Sequence, residues 1–137
     1  MATDLFVDTA GFYSLLAPDD DRHGQAVTVL RQAGERKRRL VTTDYVLGET
    51  VMLLQARGLH ELVGPFFGRV LDPRGCRLMW MDPDRFERAR ALFVRHVAQG
   101  WSFTDCASFV VMRETHLREA LTKDAHFREA GFTALLA

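Results

Sequence analysis

Four carboxylates stand where a fold could gather them: Asp8 after the apolar run LFV, Glu49 in YVLGETVMLL, Asp105 in SFTDCASFVV and Asp124 in ALTKDAHF. Two unit charges about 4 Å apart repel by roughly 4 kcal/mol at an effective dielectric near 20. That repulsion would lift a carboxylate pKa by about 3 units and neutralise part of the set. A divalent cation removes the penalty, and all-oxygen ligands select hard ions such as Mg²⁺ or Mn²⁺. The four acids therefore point to a metal site, provided the chain brings them together.

The elements that would do so are legible in the hydrophobic pattern. Residues 4 to 8 (DLFVD) read as a short buried strand followed at once by a helix, TAGFYSLLA, stopped by Pro18. Ala26, Val29, Leu30 and Ala33 recur at helical spacing within 22 to 35, and RRLVTT at 38 to 43 reads as a second strand. Thr43 or Asp44 is a natural N-cap for the helix that carries Glu49. A helical region at 59 to 71 should be bent or broken by Gly64 and Pro65. CRLMW at 76 to 80 supplies a third strand, with Trp80 ending it in the core. Residues 84 to 98 form an amphipathic helix with Phe86, Ala89, Phe93 and Val97 inward, closed by Gly100, and a further helix starts near Asp105. REALT at 118 to 122 and FTALL at 132 to 136 complete five strands.

Strands separated by helices imply parallel pairing through right-handed crossovers. The expected fold is a single α/β domain over residues 1 to 137, a three-layer α/β/α sandwich around a central, mainly parallel five-stranded sheet. Ligands in such folds bind beyond the carboxyl ends of the strands. Asp8 and Asp124 fall at that edge, and the N-terminus of the Asp105 helix can approach it. Asp4 starts its strand about 13 Å from Asp8, too far to share the pocket.

Composition narrows the setting. A chain of 137 residues with 47% hydrophobic residues suits one core. No apolar window is long enough to span a membrane and the start lacks a signal core, so no membrane contact and a cytoplasmic location are expected. Cys76 and Cys106 have neither zinc spacing nor disulfide number and read as core thiols. The formal net charge is zero, with sixteen of the eighteen basic residues Arg, several of them in ERKRR at 35 to 39 and at Arg69, Arg74 and Arg77. Arg forks suit phosphate oxygens, although a charge run is more often a solvated face.

Each acid also has an ordinary explanation. Asp8 could merely cap the helix at residue 9, Asp105 could favour its helix dipole, and Asp124 could serve a turn. Glu49 shares its helix face with Val46 and Leu53, where a carboxylate needs an ion partner such as Arg113 or a metal. His126 could be a general acid but more ordinarily packs or supports a ligand. Trp101, after Gly100 in a loop, could touch substrate.

Taken in order, FVDTAGFYSLL, TTDYVLGETVMLL, SFTDCASFVVMRE and ALTKDAHFREAGFTALL resemble the successive acidic motifs of PIN-domain ribonucleases, in particular the small VapC-type toxins of bacterial toxin–antitoxin pairs. The resemblance covers essentially the whole chain and is loosest between 58 and 84. It implies a metal-dependent endoribonuclease that hydrolyses RNA phosphodiester bonds with one or two Mg²⁺ or Mn²⁺ ions. By it, Asp8, Glu49, Asp105 and Asp124 are the catalytic and metal-binding acids, and Thr9 and Thr104 help hold the site. It also implies a homodimer and a cognate VapB-like antitoxin whose tail enters the acidic groove.

Two rival readings remain at this stage. A haloacid-dehalogenase-type phosphatase would need an Asp two residues after its nucleophile, where this chain has Ala10. A catalytically silent PIN-fold module acting through a partner protein would be marked by a lost acid, and none is lost.

Overall fold

The computed structural model describes residues 3–137. Five strands, β1 (Leu5–Val7), β2 (Leu40–Thr43), β3 (Cys76–Met79), β4 (Glu119–Leu121) and β5 (Thr133–Ala134), pair entirely in parallel in the order β3-β2-β1-β4-β5. Seven helices connect and flank them: α1 (Thr9–Leu16), α2 (His23–Glu35), α3 (Asp44–Ala56), α4 (Val63–Val70), α5 (Pro83–Arg95), α6 (Phe103–Glu114) and α7 (Ala125–Glu129). The expected α/β architecture is what the chain adopts. β1 is buried at every residue, as a strand with neighbours on both sides and helices on both faces must be.

Register fixes which residues share the carboxyl edge. Phe6 pairs with Val41, Thr43 with Met79 and Val7 with Leu121. One residue further on, Asp8 stands level with Thr43 on one side and Thr122 on the other. Polar groups close the strands at this level: Asp8 caps α1, Thr43 caps α3 by accepting from the Val46 amide, and Asp124 caps α7. A strand that ends directly in a helix N-cap sets a polar side chain at the end of the sheet, and Asp8 and Thr43 are both buried there.

Close packing of α1 onto the sheet brings Asp8 to that edge. A Cβ placed on Gly11 would lie 1.9 Å from the Leu121 carbonyl oxygen and 3.1 Å from Val7 Cγ1. Only glycine permits this approach. On the other side, Glu114 of α6 receives both Arg85 and Arg88 of α5, with Arg85 Nη2 2.5 Å and Arg88 Nη2 2.7 Å away. The two guanidinium groups hold the Glu114 carboxyl down at about 2.

The region at 59 to 71 is indeed broken, into a single 3₁₀ turn at His60–Leu62 and α4, with Pro65 in the first turn of α4 where its missing N–H costs nothing. Both cysteines are buried and free. Other expectations fail. Phe86 packs against the Phe103 ring at 5.4 Å yet is 39% exposed, and Val97 is 59% exposed because α5 stops at Arg95 and Val97 falls in a separate 3₁₀ turn. The two tryptophans exchange roles. Trp101 is buried at 4%, stacked on His96 at 4.2 Å and set edge-on to Phe109, while its Nε1 donates to Glu129. Trp80 is 62% exposed, since β3 is an edge strand that ends one residue before it.

Candidate active site

Three of the four acids lie close enough at the carboxyl edge for Asp124 and Asp105 to act on the charge of Asp8, and Thr122 ties the first of them, Asp8, to the backbone of Asp124. Its hydroxyl donates to Asp8 Oδ2 at 2.8 Å and accepts from the Asp124 amide at 3.0 Å. The other Asp8 oxygen accepts from the Gly11 amide at 2.9 Å. Asp124 in turn accepts from the His126 amide at 2.9 Å. Nothing in the spacing of Thr122 marks it as functional; only the register opposite Asp8 does.

Asp105 arrives from the first turn of α6, held by a capping box. Ser102 Oγ accepts from the Asp105 amide at 2.9 Å while Asp105 Oδ2 accepts from the Ser102 amide at 3.1 Å. Its dipole-end placement, a sufficient bland explanation in the sequence, coexists with a position in the cluster. His126 bridges the two outer acids, its Nδ1 3.0 Å from Asp105 Oδ2 and 3.5 Å from Asp124 Oδ1. Ligand-capable atoms of Asp105, Asp124 and His126 all lie within 4.8 Å of one another.

The electrostatics record the crowding. Burial pushes the Asp8 carboxyl up from 3.8 to about 7, against hydrogen bonds from Gly11 and Thr122 that pull it down, and the charges of Asp124 and Asp105 add to the rise. Asp105 is also raised, first by burial. His126 is raised chiefly by its hydrogen bond to Asp105, so the imidazolium is favoured beside the acids. Burial is the largest cause for both Asp8 and Asp105, with the neighbouring negative charges adding to it.

The donor set fits a hard divalent cation. It consists of carboxylate oxygens from three elements, and Thr9 Oγ1 beside Asp8 is buried with no hydrogen-bond partner among the described residues. An unpartnered hydroxyl oxygen next to a buried carboxylate is costly unless a further ligand completes it. Thr104 presents no comparable orphan; its carbonyl accepts from Ser108 Oγ.

Glu49, like Asp8, is outside the group of ligand atoms that lie within 4.8 Å of one another. It is half-buried on α3, and the expected ion pair with Arg113 does not form among the described residues, since Arg113 is exposed on α6. Six residues beyond its N-cap, Glu49 stands about 9 Å along the helix from the sheet edge. The arginines are also placed otherwise than the sequence suggests. Arg38, Arg39, Arg69 and Arg74 line a cavity of about 850 Å³ that includes Asp4, Leu40 and Cys76, the amino ends of the strands. Arg39 pairs with Asp4, Arg38 with Glu119 and Arg74 with Asp72. They therefore cannot steer phosphate directly into the acidic pocket.

The linkage has a definite sign. Because the folded value of Asp8 is raised, its favourable contribution is complete below pH 3.8 and is lost as pH rises through about 7. Metal-free protein should lose melting temperature over that interval, and saturating Mg²⁺ should return more of it at pH 8 than at pH 5. Equal metal-induced shifts at the two pH values would show that Asp8 is not a ligand.

An all-parallel sheet ordered 3-2-1-4-5 with an acidic cluster at the carboxyl ends of its central strands defines the protein class: the PIN domain matches residues 5–133, and the chain belongs to the PIN-domain family. It is 34% identical over 128 residues to the 23S rRNA-specific endonuclease VapC20 of Mycobacterium tuberculosis in two strains, covering 93% of this chain and 95% of the relative. The crystal structure of the Mycobacterium tuberculosis VapC20, described as a sarcin-ricin loop cleaving toxin, superposes with a TM-score of 0.81 at 32% identity. That match covers 94% of this chain and 96% of the other.

Proposed function

We propose that Asp8, Asp105 and Asp124 hold Mg²⁺ or Mn²⁺ for hydrolysis of an RNA phosphodiester bond, with Glu49 acting on the same ion through water. The chain is an endoribonuclease of the VapC toxin class. The observation that carries the residue assignment is the grouping of Asp105 and Asp124 around His126, with Asp8 joined to the Asp124 backbone through Thr122.

When bound, the divalent cation supplies positive charge that cancels the acids' repulsion of phosphate, lowers the pKa of water and stabilises charge on the reacting phosphoryl group. The protein's own part is positional. Gly11 and Thr122 fix both oxygens of Asp8, so its carboxylate cannot rotate away. Ser102 and His126 both hold a single oxygen of Asp105, Oδ2, which leaves Oδ1 free to face a cation. A cluster carboxylate orients the attacking water and accepts its proton as the oxygen bonds to phosphorus and the bond to the departing ribose oxygen breaks.

The similarity to VapC20 supports ribosomal RNA as the substrate and a small VapB-like antitoxin as the regulatory partner. No helix among the described residues is long and apolar enough to cross a membrane, which is consistent with a cytoplasmic RNA target. Purified protein incubated with 23S rRNA and Mg²⁺ or Mn²⁺ should produce discrete cuts that chelation and Asp105→Asn both abolish. Cutting that persists in Asp105→Asn would remove Asp105 from the site.

A further inference from the structure

We propose that Trp80 is a base-stacking platform that selects RNA with an unpaired nucleotide next to the scissile bond. The inference rests on the endoribonuclease reading and adds a specificity residue to it. Trp80 follows Met79, and Met79 pairs with Thr43, the residue level with Asp8. Trp80 therefore lies on the same sheet edge as the acids, two strands across from Asp8, or about 10 Å at the usual strand spacing. That separation corresponds to a nucleotide or two of extended RNA.

The indole is the part left free, whereas the backbone around it is pinned. Arg85 Nη1 donates to the Trp80 carbonyl at 2.8 Å, the Asp82 amide donates to the same oxygen at 3.0 Å, and the Met81 amide donates to Asp44 Oδ1 at 2.9 Å. Arg85 is itself anchored by Glu114. A large aromatic on a pinned stretch of backbone, 62% exposed, leaves apolar surface in water that a stacked base would cover. The arginine-lined cavity lies at the other end of the strands, so phosphate charge alone does not place RNA at this edge. Stacking tolerates any base but requires one that is unpaired, which favours loops over duplexes.

The two tryptophans make the test selective, because Trp101 is buried and serves as an internal reference. Cleavage is measured on an RNA hairpin with an unpaired loop and on the same sequence closed into a duplex, for the parent protein, Trp80→Ala and Trp80→Phe. Trp80→Ala should raise KM on the hairpin roughly tenfold with kcat changed less than twofold, and Trp80→Phe should recover most of it. In Asp105→Asn protein with Mg²⁺, adding the hairpin should quench tryptophan emission, and further replacing Trp80 by Phe should remove the quench. An unchanged KM in Trp80→Ala, or a quench that survives without Trp80, would overturn the proposal. A change in sedimentation of Trp80→Ala accompanying its loss of activity would also overturn it, assigning the residue to a subunit contact. If the parent protein cuts neither these RNAs nor 23S rRNA with Mg²⁺ or Mn²⁺, the metal-dependent cleavage proposed above fails; a Trp80-dependent quench would still support stacking.

Discussion

Asp8→Asn should make the metal-free protein more stable at pH 8 while reducing RNA cleavage roughly a thousandfold, the several kcal/mol that metal-assisted charge stabilisation supplies. The two effects have opposite signs because they arise from different states. At pH 8 the buried Asp8 carboxyl, raised to about 7, is ionised in the folded chain at a cost on the order of 4 kcal/mol as an upper bound. Asparagine removes that charge and still offers an oxygen to the Gly11 amide, so the α1 cap survives. It cannot supply the negative charge that holds a cation. Thermal melts in chelator, paired with cleavage assays in Mg²⁺, check both halves. A variant that melts lower than the parent in chelator would mean that Asp8 serves mainly as a structural cap.

The largest effect on folding is expected at Gly11. Adding a single methyl group there drives Cβ to 1.9 Å from the Leu121 carbonyl oxygen, and the obstructing atoms are backbone of the buried strand β4, which cannot rotate aside. Either α1 lifts off the sheet or β4 shifts, and both moves break the Asp8–Thr122 bond. Gly11→Ala should cost about 3 kcal/mol or more, lowering the melting temperature by roughly 10 °C. Cleavage should fall further than the folded fraction accounts for, because the cap and the site share this contact. Gly48→Ala, where a Cβ meets nothing within 4 Å, is the control and should be neutral or slightly stabilising. A Gly11→Ala melt within 2 °C of the parent would show that α1 does not depend on this approach.

Much of this architecture was readable because short apolar runs alternate with amphipathic ones and each central strand ends in a polar N-cap. Asp8, Thr43 and Asp124 announce themselves as such ends. What the linear pattern could not provide was lateral position. CRLMW reads as a buried strand, yet β3 occupies a sheet edge and stops at Met79, so Trp80 projects into water. Gly100, with φ at 80°, turns the chain so that the Trp101 indole enters the core from what reads as a loop. Thr122 went unnoticed for a related reason: its importance comes from standing opposite Asp8 across a parallel register, a partner 114 positions away in sequence. The arginines cluster in sequence as a phosphate site would, but strand direction carries most of them to the amino edge. Glu49 stands out in the sequence by its apolar helix face, and α3 holds it half-buried.

The most direct measurement is anomalous diffraction from crystals of the protein soaked in Mn²⁺ at pH 7.5, compared with Asp8→Asn crystals soaked alike. The expected result is a peak at the carboxyl edge of β1 and β4, with oxygens of Asp8, Asp105 and Asp124 either bound near 2.1 to 2.3 Å or hydrogen-bonded to a water that is, absent in the variant. A Mn²⁺ peak elsewhere on the molecule, or one at this edge that is unaffected by losing Asp8, would contradict the assignment of these acids to a shared cation.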